Sequence, residues 1–67
     1  MRKRYAANRV EVDRRILDQA IVEIENGQVV DYYTFSIEQA HTKWLGGTIT
    51  IETENNERHA FWHHQQL

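Results

Sequence analysis

Apolar and polar residues alternate over most of the chain, and pairs bearing Asn or Gly interrupt the alternation. A side-chain period of two is the pattern of β-strands. The clearest turn is Asn26-Gly27, because a two-residue hairpin turn of type I′ needs positive φ at both central positions, which Asn and Gly tolerate best. With those residues in the turn, Glu25 opposes Gln28, and Ile24–Val29, Val22–Asp31 and Ala20–Tyr33 share one face. Glu23–Val30, Ile21–Tyr32 and Gln19–Thr34 share the other. Apolar residues on both faces predict a central hairpin, with Ala20, Val22, Ile24, Val29, Tyr33 and Phe35 toward the core.

A second hairpin turns at Asn55-Asn56, with Glu54 opposite Glu57. Thr53–Arg58, Ile51–Ala60 and Ile49–Trp62 then face inward, while Glu52–His59, Thr50–Phe61 and Thr48–His63 face water. Residues 57–64 also admit a helical reading, since Ala60 and the Gln65-Gln66 pair tolerate one. The first strand, residues 5–12, alternates weakly: Ala6, Val10 and Val12 lie on one side, Tyr5, Ala7 and Arg9 on the other. Asp13-Arg14-Arg15 then turns the chain into Ile16. Between the two hairpins, Ser36 and Gln39 have the spacing of a helix capping box, and Ile37, Ala40 and Trp44 fall on one helical face. Gly46-Gly47 ends that segment and returns the chain to a strand.

The expected fold is all-β: five antiparallel strands in meander order, curled into a sheet or small barrel, with a short helix between the third and fourth strands. Its core is expected to hold Val10, Ala20, Val22, Ile24, Val29, Tyr33, Phe35, Trp44, Leu45, Ile49, Ile51 and Trp62.

Sixty-seven residues without a Pro, a repeat or a low-complexity stretch read as one domain, residues 1–67, with a basic arm at 1–4 and a frayed tail at 64–67. Val, Ile, Leu and Phe make up 24% of the chain, above the level typical of disordered sequences. With no Cys there is no disulfide staple, so stability must come from packing. No apolar run resembles a membrane span or a signal peptide, and a cytoplasmic protein is expected. Charge is split: residues 1–15 carry a net +4 and residues 16–67 a net −6. A basic arm of this kind can track phosphates or attract the acidic part of another chain.

Candidate chemistry is sparse. On a strand, His59 and His63 stand roughly 13 Å apart, too far to share one ion; on a helix they would be i, i+4 neighbours able to chelate, but His41 and His64 supply no convergent third ligand. No metal and no cofactor are therefore expected. Ser36, Glu38 and His41 lie within one helical turn, which cannot build a nucleophilic relay. Gly46-Gly47 is followed by Thr48 and lacks the Lys-Ser/Thr pair of a phosphate loop. Glu23 with Glu25, and Glu52 with Glu54, share strand faces beside turns, where carboxylates are solvated and discourage edge pairing.

Residues 16–30, preceded by Ala7-Asn8-Arg9-Val10, contain Val22, Ile24, Glu25, Asn26, Gly27, Val29 and Val30 in the order V-x-I-E-N-G-x-I-V, with Val29 in the next-to-last place. With these residues, the stretch from about Tyr5 to Thr50, some two-thirds of the chain, resembles the small N-terminal β-module that opens amidohydrolase-type enzymes. The resemblance implies architecture without activity. That family's chemistry sits in a metal-binding (β/α)₈ barrel with an H-x-H motif, and this chain has neither the motif nor the length.

The functional expectation is a non-enzymatic module that works by contact with protein, either itself or another chain. Leu17, Ile21, Val30 and Tyr32 form the candidate interaction surface on the second face of the first hairpin. The alternative is an OB-like domain that binds single-stranded nucleic acid through Arg2, Lys3, Arg4, Tyr32 and Phe61. The acidic balance beyond residue 15 argues against nucleic acid as the partner.

Overall fold

Four two-residue turns organise the chain, and in each both residues have positive φ: Asp13-Arg14, Asn26-Gly27, Asn55-Asn56 and His63-His64. Turns of this hand match the twist of antiparallel strands. The computed structural model describes residues 2–37 and 39–67. Its strands are β1 (Arg2–Val12), β2 (Arg15–Glu25), β3 (Gln28–Thr34), β4 (Lys43–Trp44), β5 (Thr48–Glu54), β6 (Glu57–Trp62) and β7 (Gln65–Gln66). All seven belong to one sheet in the order β3-β2-β1-β5-β6-β7, with β4 also on β1.

The all-β expectation holds, and the antiparallel meander does not. After β3 the chain crosses to the far edge of β1, where β4 and β5 both run parallel to it. Arg9 pairs with Thr48 and Val12 with Ile51 along that seam. A meander would leave β1 as an outer strand and expose Val10 and Val12. The crossover sandwiches β1 between β2 and β5 and buries both residues.

The expected helix over 36–43 is also absent among the described residues, and Glu38 lies outside them. The Gln39 side chain donates to the Ile37 carbonyl instead of reaching back to cap Ser36, and His41 takes a positive φ that no α-helix contains. Residues 43 and 44 are strand.

The second hairpin has the expected register at all six pairs, from Glu54–Glu57 to Ile49–Trp62. The first keeps Glu25–Gln28 and Ile24–Val29 and then slips, because Val30 is an extra, unpaired residue. Beyond this bulge Val22 opposes Tyr32 and Ile21 opposes Tyr33. Tyr32 therefore packs on the core, and Tyr33 stands on the opposite face.

A second irregularity lies at Asn8 and Gln19, which face each other unpaired while Ala7–Ala20 and Arg9–Asp18 pair on either side. Gln19 has a positive φ. Core membership changes parity there on both strands. Tyr5, Ala7, Val10 and Val12 all touch the core, as do Leu17, Ala20, Val22 and Ile24. Ala6 is left facing outward. The core is completed by Ile49, Ile51 and Ala60, with Val29, Leu45, Trp62 and Leu67 packed around it.

The strand reading of 57–64 holds through Trp62, and the residues expected to fray are tied back. Gln65 pairs with Trp62 and Gln66 with Phe61, and the Leu67 N–H donates to Ala60 O at 2.8 Å. Curling of the sheet brings β6 to the first hairpin: the Arg58 guanidinium lies 5.5 Å from the Tyr32 ring centroid, and His59 Nδ1 lies 3.0 Å from Gly27 O.

Candidate interaction site on the outer face

Ile21 and Ala6 pair across β2 and β1 and are buried, Ile21 completely, yet both lie apart from the core cluster. The segment that returns from β3 to β4 covers them. Phe35 and Trp44 wall a cavity of about 220 Å³ over Ile21 and Ala6, and Gln19, Gln39 and Thr42 supply its polar rim. Ligand pockets usually start near 300 Å³, so this one suits a single inserted side chain better than a cofactor.

Trp44 is held here by its backbone. It pairs with Ala6, and the next residue, Leu45, donates its N–H to Ala6 O at 2.8 Å. The chain then detours around Asn8. Asn8 Oδ1 accepts the Gly47 N–H at 2.9 Å, and Gly46 O accepts the Trp62 indole N–H at 2.9 Å. Both glycines have positive φ, which makes the detour compatible with Gly and costly for other residues. Trp44 nevertheless remains 53% exposed, and Ile37 on the same covering segment is 74% exposed. The sequence pattern puts both on one face of a helix, with Ala40; the strand and loop turn them outward instead.

Next to this cavity lies a charged cluster. Glu23 is only 5% exposed. It accepts the Tyr33 hydroxyl at Oε2, and Arg2 Nη1 donates to its Oε1 at 3.2 Å. Arg4 Nε lies 3.3 Å from Oε2, and Arg2 also bonds Glu25 at 3.3 Å. The Tyr33 hydrogen bond, and after it the two arginines, hold the Glu23 carboxyl below its ordinary value against the opposing effect of burial. The same hydrogen bond, together with burial, pushes the Tyr33 hydroxyl up. Alternation on strands placed Glu23 among solvated turn carboxylates. The overlooked signal was the matching alternation of Arg2 and Arg4, which an antiparallel β1–β2 pair sets opposite Glu25 and Glu23.

The four residues first singled out for interaction do not form one surface. Leu17 and Tyr32 pack against the core, Ile21 is buried beneath the covering segment, and Val30 alone is exposed, at the bulge. The nucleic-acid set is dispersed as well. Arg2 and Arg4 are engaged by Glu23 and Glu25, Lys3 shares the core-side parity of Tyr5, and Tyr32 lies under Arg58. Phe61 sits at the level of Glu11, seven residues from Arg4 and roughly 23 Å along the strand. Among the described residues no three His, Asp or Glu side chains converge as a metal site, and no helix is long and apolar enough to cross a membrane. Compared with known proteins, the chain matches no family model, no curated relative and no solved structure.

Proposed function

We propose that the chain is a non-enzymatic module that works by protein contact, and that it pairs with a second copy of itself through the outer face around Trp44. The observation that carries this reading is a half-exposed Trp44 standing beside a small pocket floored by buried Ile21 and Ala6. Exposed tryptophan next to an apolar pocket is the composition of an interface hot spot. A surface that offers both a half-exposed indole and a cavity for one side chain can serve both sides of a two-fold contact. Two-fold pairing then satisfies both halves at once, each Trp44 contacting its partner's pocket. Ile37 and Phe35 extend the apolar patch beside it.

Light scattering across a concentration series tests the reading. The wild-type chain should move from monomer to dimer, and Trp44→Ser should stay monomeric while keeping its fold. A wild-type chain that remains monomeric over the whole series contradicts self-pairing.

A further inference from the structure

β4 presents its two side chains to opposite faces of the sheet. Trp44 goes to the outer cavity; Lys43, paired with Tyr5, goes to the other side. There, Lys3, Arg4, Tyr5, His41, Thr42 and Lys43 line an open cleft of about 450 Å³. Lys3 and Lys43 bring two cations and His41 an imidazole, no acidic residue lines the cleft, and the Arg4 guanidinium is turned away to Glu23, in a chain whose net charge is −2. Lys3 lies two residues before Tyr5 on the same face, and Lys43 is the cross-strand neighbour of Tyr5. The two lysines are therefore neighbours of one residue, Tyr5, on one face of the sheet. Like charges in neighbouring sheet positions repel unless an anion lies between them. Arg4 has a carboxylate partner in Glu23, while Lys3 and Lys43 have none within salt-bridge reach among the described residues.

The backbone adds to this. β4 begins at Lys43, so among the described residues no strand lies beside the β4-side edge of β1 before Tyr5, and no backbone bond takes up the Arg4 N–H there. Ala6 directs its carbonyl to that side, and strand alternation puts the Arg4 N–H there too. An unpaired N–H between two lysines is a directed donor inside a positive field. The Thr42 hydroxyl is occupied with the Ala40 carbonyl and holds the wall of the cleft in place.

We propose that this cleft binds a compact oxyanion of the phosphate class, either free phosphate or the terminal phosphoryl group of a larger molecule. Lys3 and Lys43 supply charge, and the Arg4 N–H supplies a directed donor. The proposal is independent of the pairing face, which lies on the other side of the sheet.

The test is an NMR titration of the full chain at constant ionic strength, with inorganic phosphate, phenyl phosphate, acetate and chloride as separate arms. Phosphate or phenyl phosphate should give saturable shifts centred on Lys3, Tyr5 and residues 41–43, and Lys43→Gln should weaken them about fivefold or more without altering the remaining spectrum. Saturation by both shows that the group itself is recognised; saturation by the ester alone shows a tethered source. Non-saturating shifts, equal shifts with acetate or chloride, or an unchanged response in Lys43→Gln would each overturn the proposal.

Discussion

Tyr33 donates its hydroxyl to the Glu23 carboxylate from the neighbouring strand, and it reaches that carboxylate because β3 carries one extra residue at Val30. Without the bulge, Tyr33 would oppose Ala20 and point into the core. With it, the outer face gains a buried acid held by a phenol and two guanidinium groups, next to the cavity at Ile21.

Replacing Tyr33 with Phe removes that donor and leaves the ring in place. A hydrogen bond to a charged group contributes about 1.5–3 kcal/mol, and the half-exposed arginines can compensate in part, so a loss of about 1–2 kcal/mol is expected near neutral pH. Urea denaturation of the two chains measures it.

The pH dependence has two limbs. Glu23 is held below its ordinary value of 4.5, so its contribution is present above that value and is lost as pH falls through the lower folded-state value. Tyr33 is raised above 10.0, so its contribution is present below that value and is lost as pH rises through the higher folded-state value. Tyr33→Phe should abolish the alkaline limb of stability that belongs to this pair and bring acid unfolding to higher pH. A denaturation series from acid to alkaline pH reads both.

Asn8→Ala should destabilise the Gly46-Gly47 detour by about 1 kcal/mol, since one backbone N–H loses its acceptor. The diagnostic readout is local: the Trp62 indole N–H, bonded to Gly46 O, should exchange faster with solvent.

Deleting residues 65–67 removes β7 and the packing of Leu67 on the core. A cost of about 1–2 kcal/mol is expected, in keeping with the loss of a half-buried Leu and a short ladder. Thermal melting of the shortened chain measures it, and an unchanged midpoint would show that the tail does not hold.

The parts of the fold legible in the sequence are those fixed by local chemistry. Asn55-Asn56 sets a turn and uninterrupted alternation carries its register through to Ile49–Trp62. Asn26-Gly27 sets the other turn, but no Gly or Pro marks the bulge at Val30, so Tyr32 and Tyr33 exchange faces relative to the simple count. The parity change at Asn8 and Gln19 is equally unmarked. A parallel β1–β5 pair brings together residues about forty positions apart, and alternation within a strand says nothing about which strand will lie beside it. The outer-face site inherits those gaps. Ile21 was found as an apolar residue on the second face, but its cover by Phe35 and Trp44 depends on the crossover.

Self-pairing stands or falls on Trp44 meeting a second copy. The direct measurement is an isotope-filtered NOE experiment on a mixture of labelled and unlabelled chains. It should show contacts from the Trp44 indole of one copy to Ile21, Ala6 and Phe35 of the other, and these should vanish in Ile37→Ser or Trp44→Ser. Intermolecular contacts confined to the free edge of β3, or none at concentrations that saturate scattering, would contradict it.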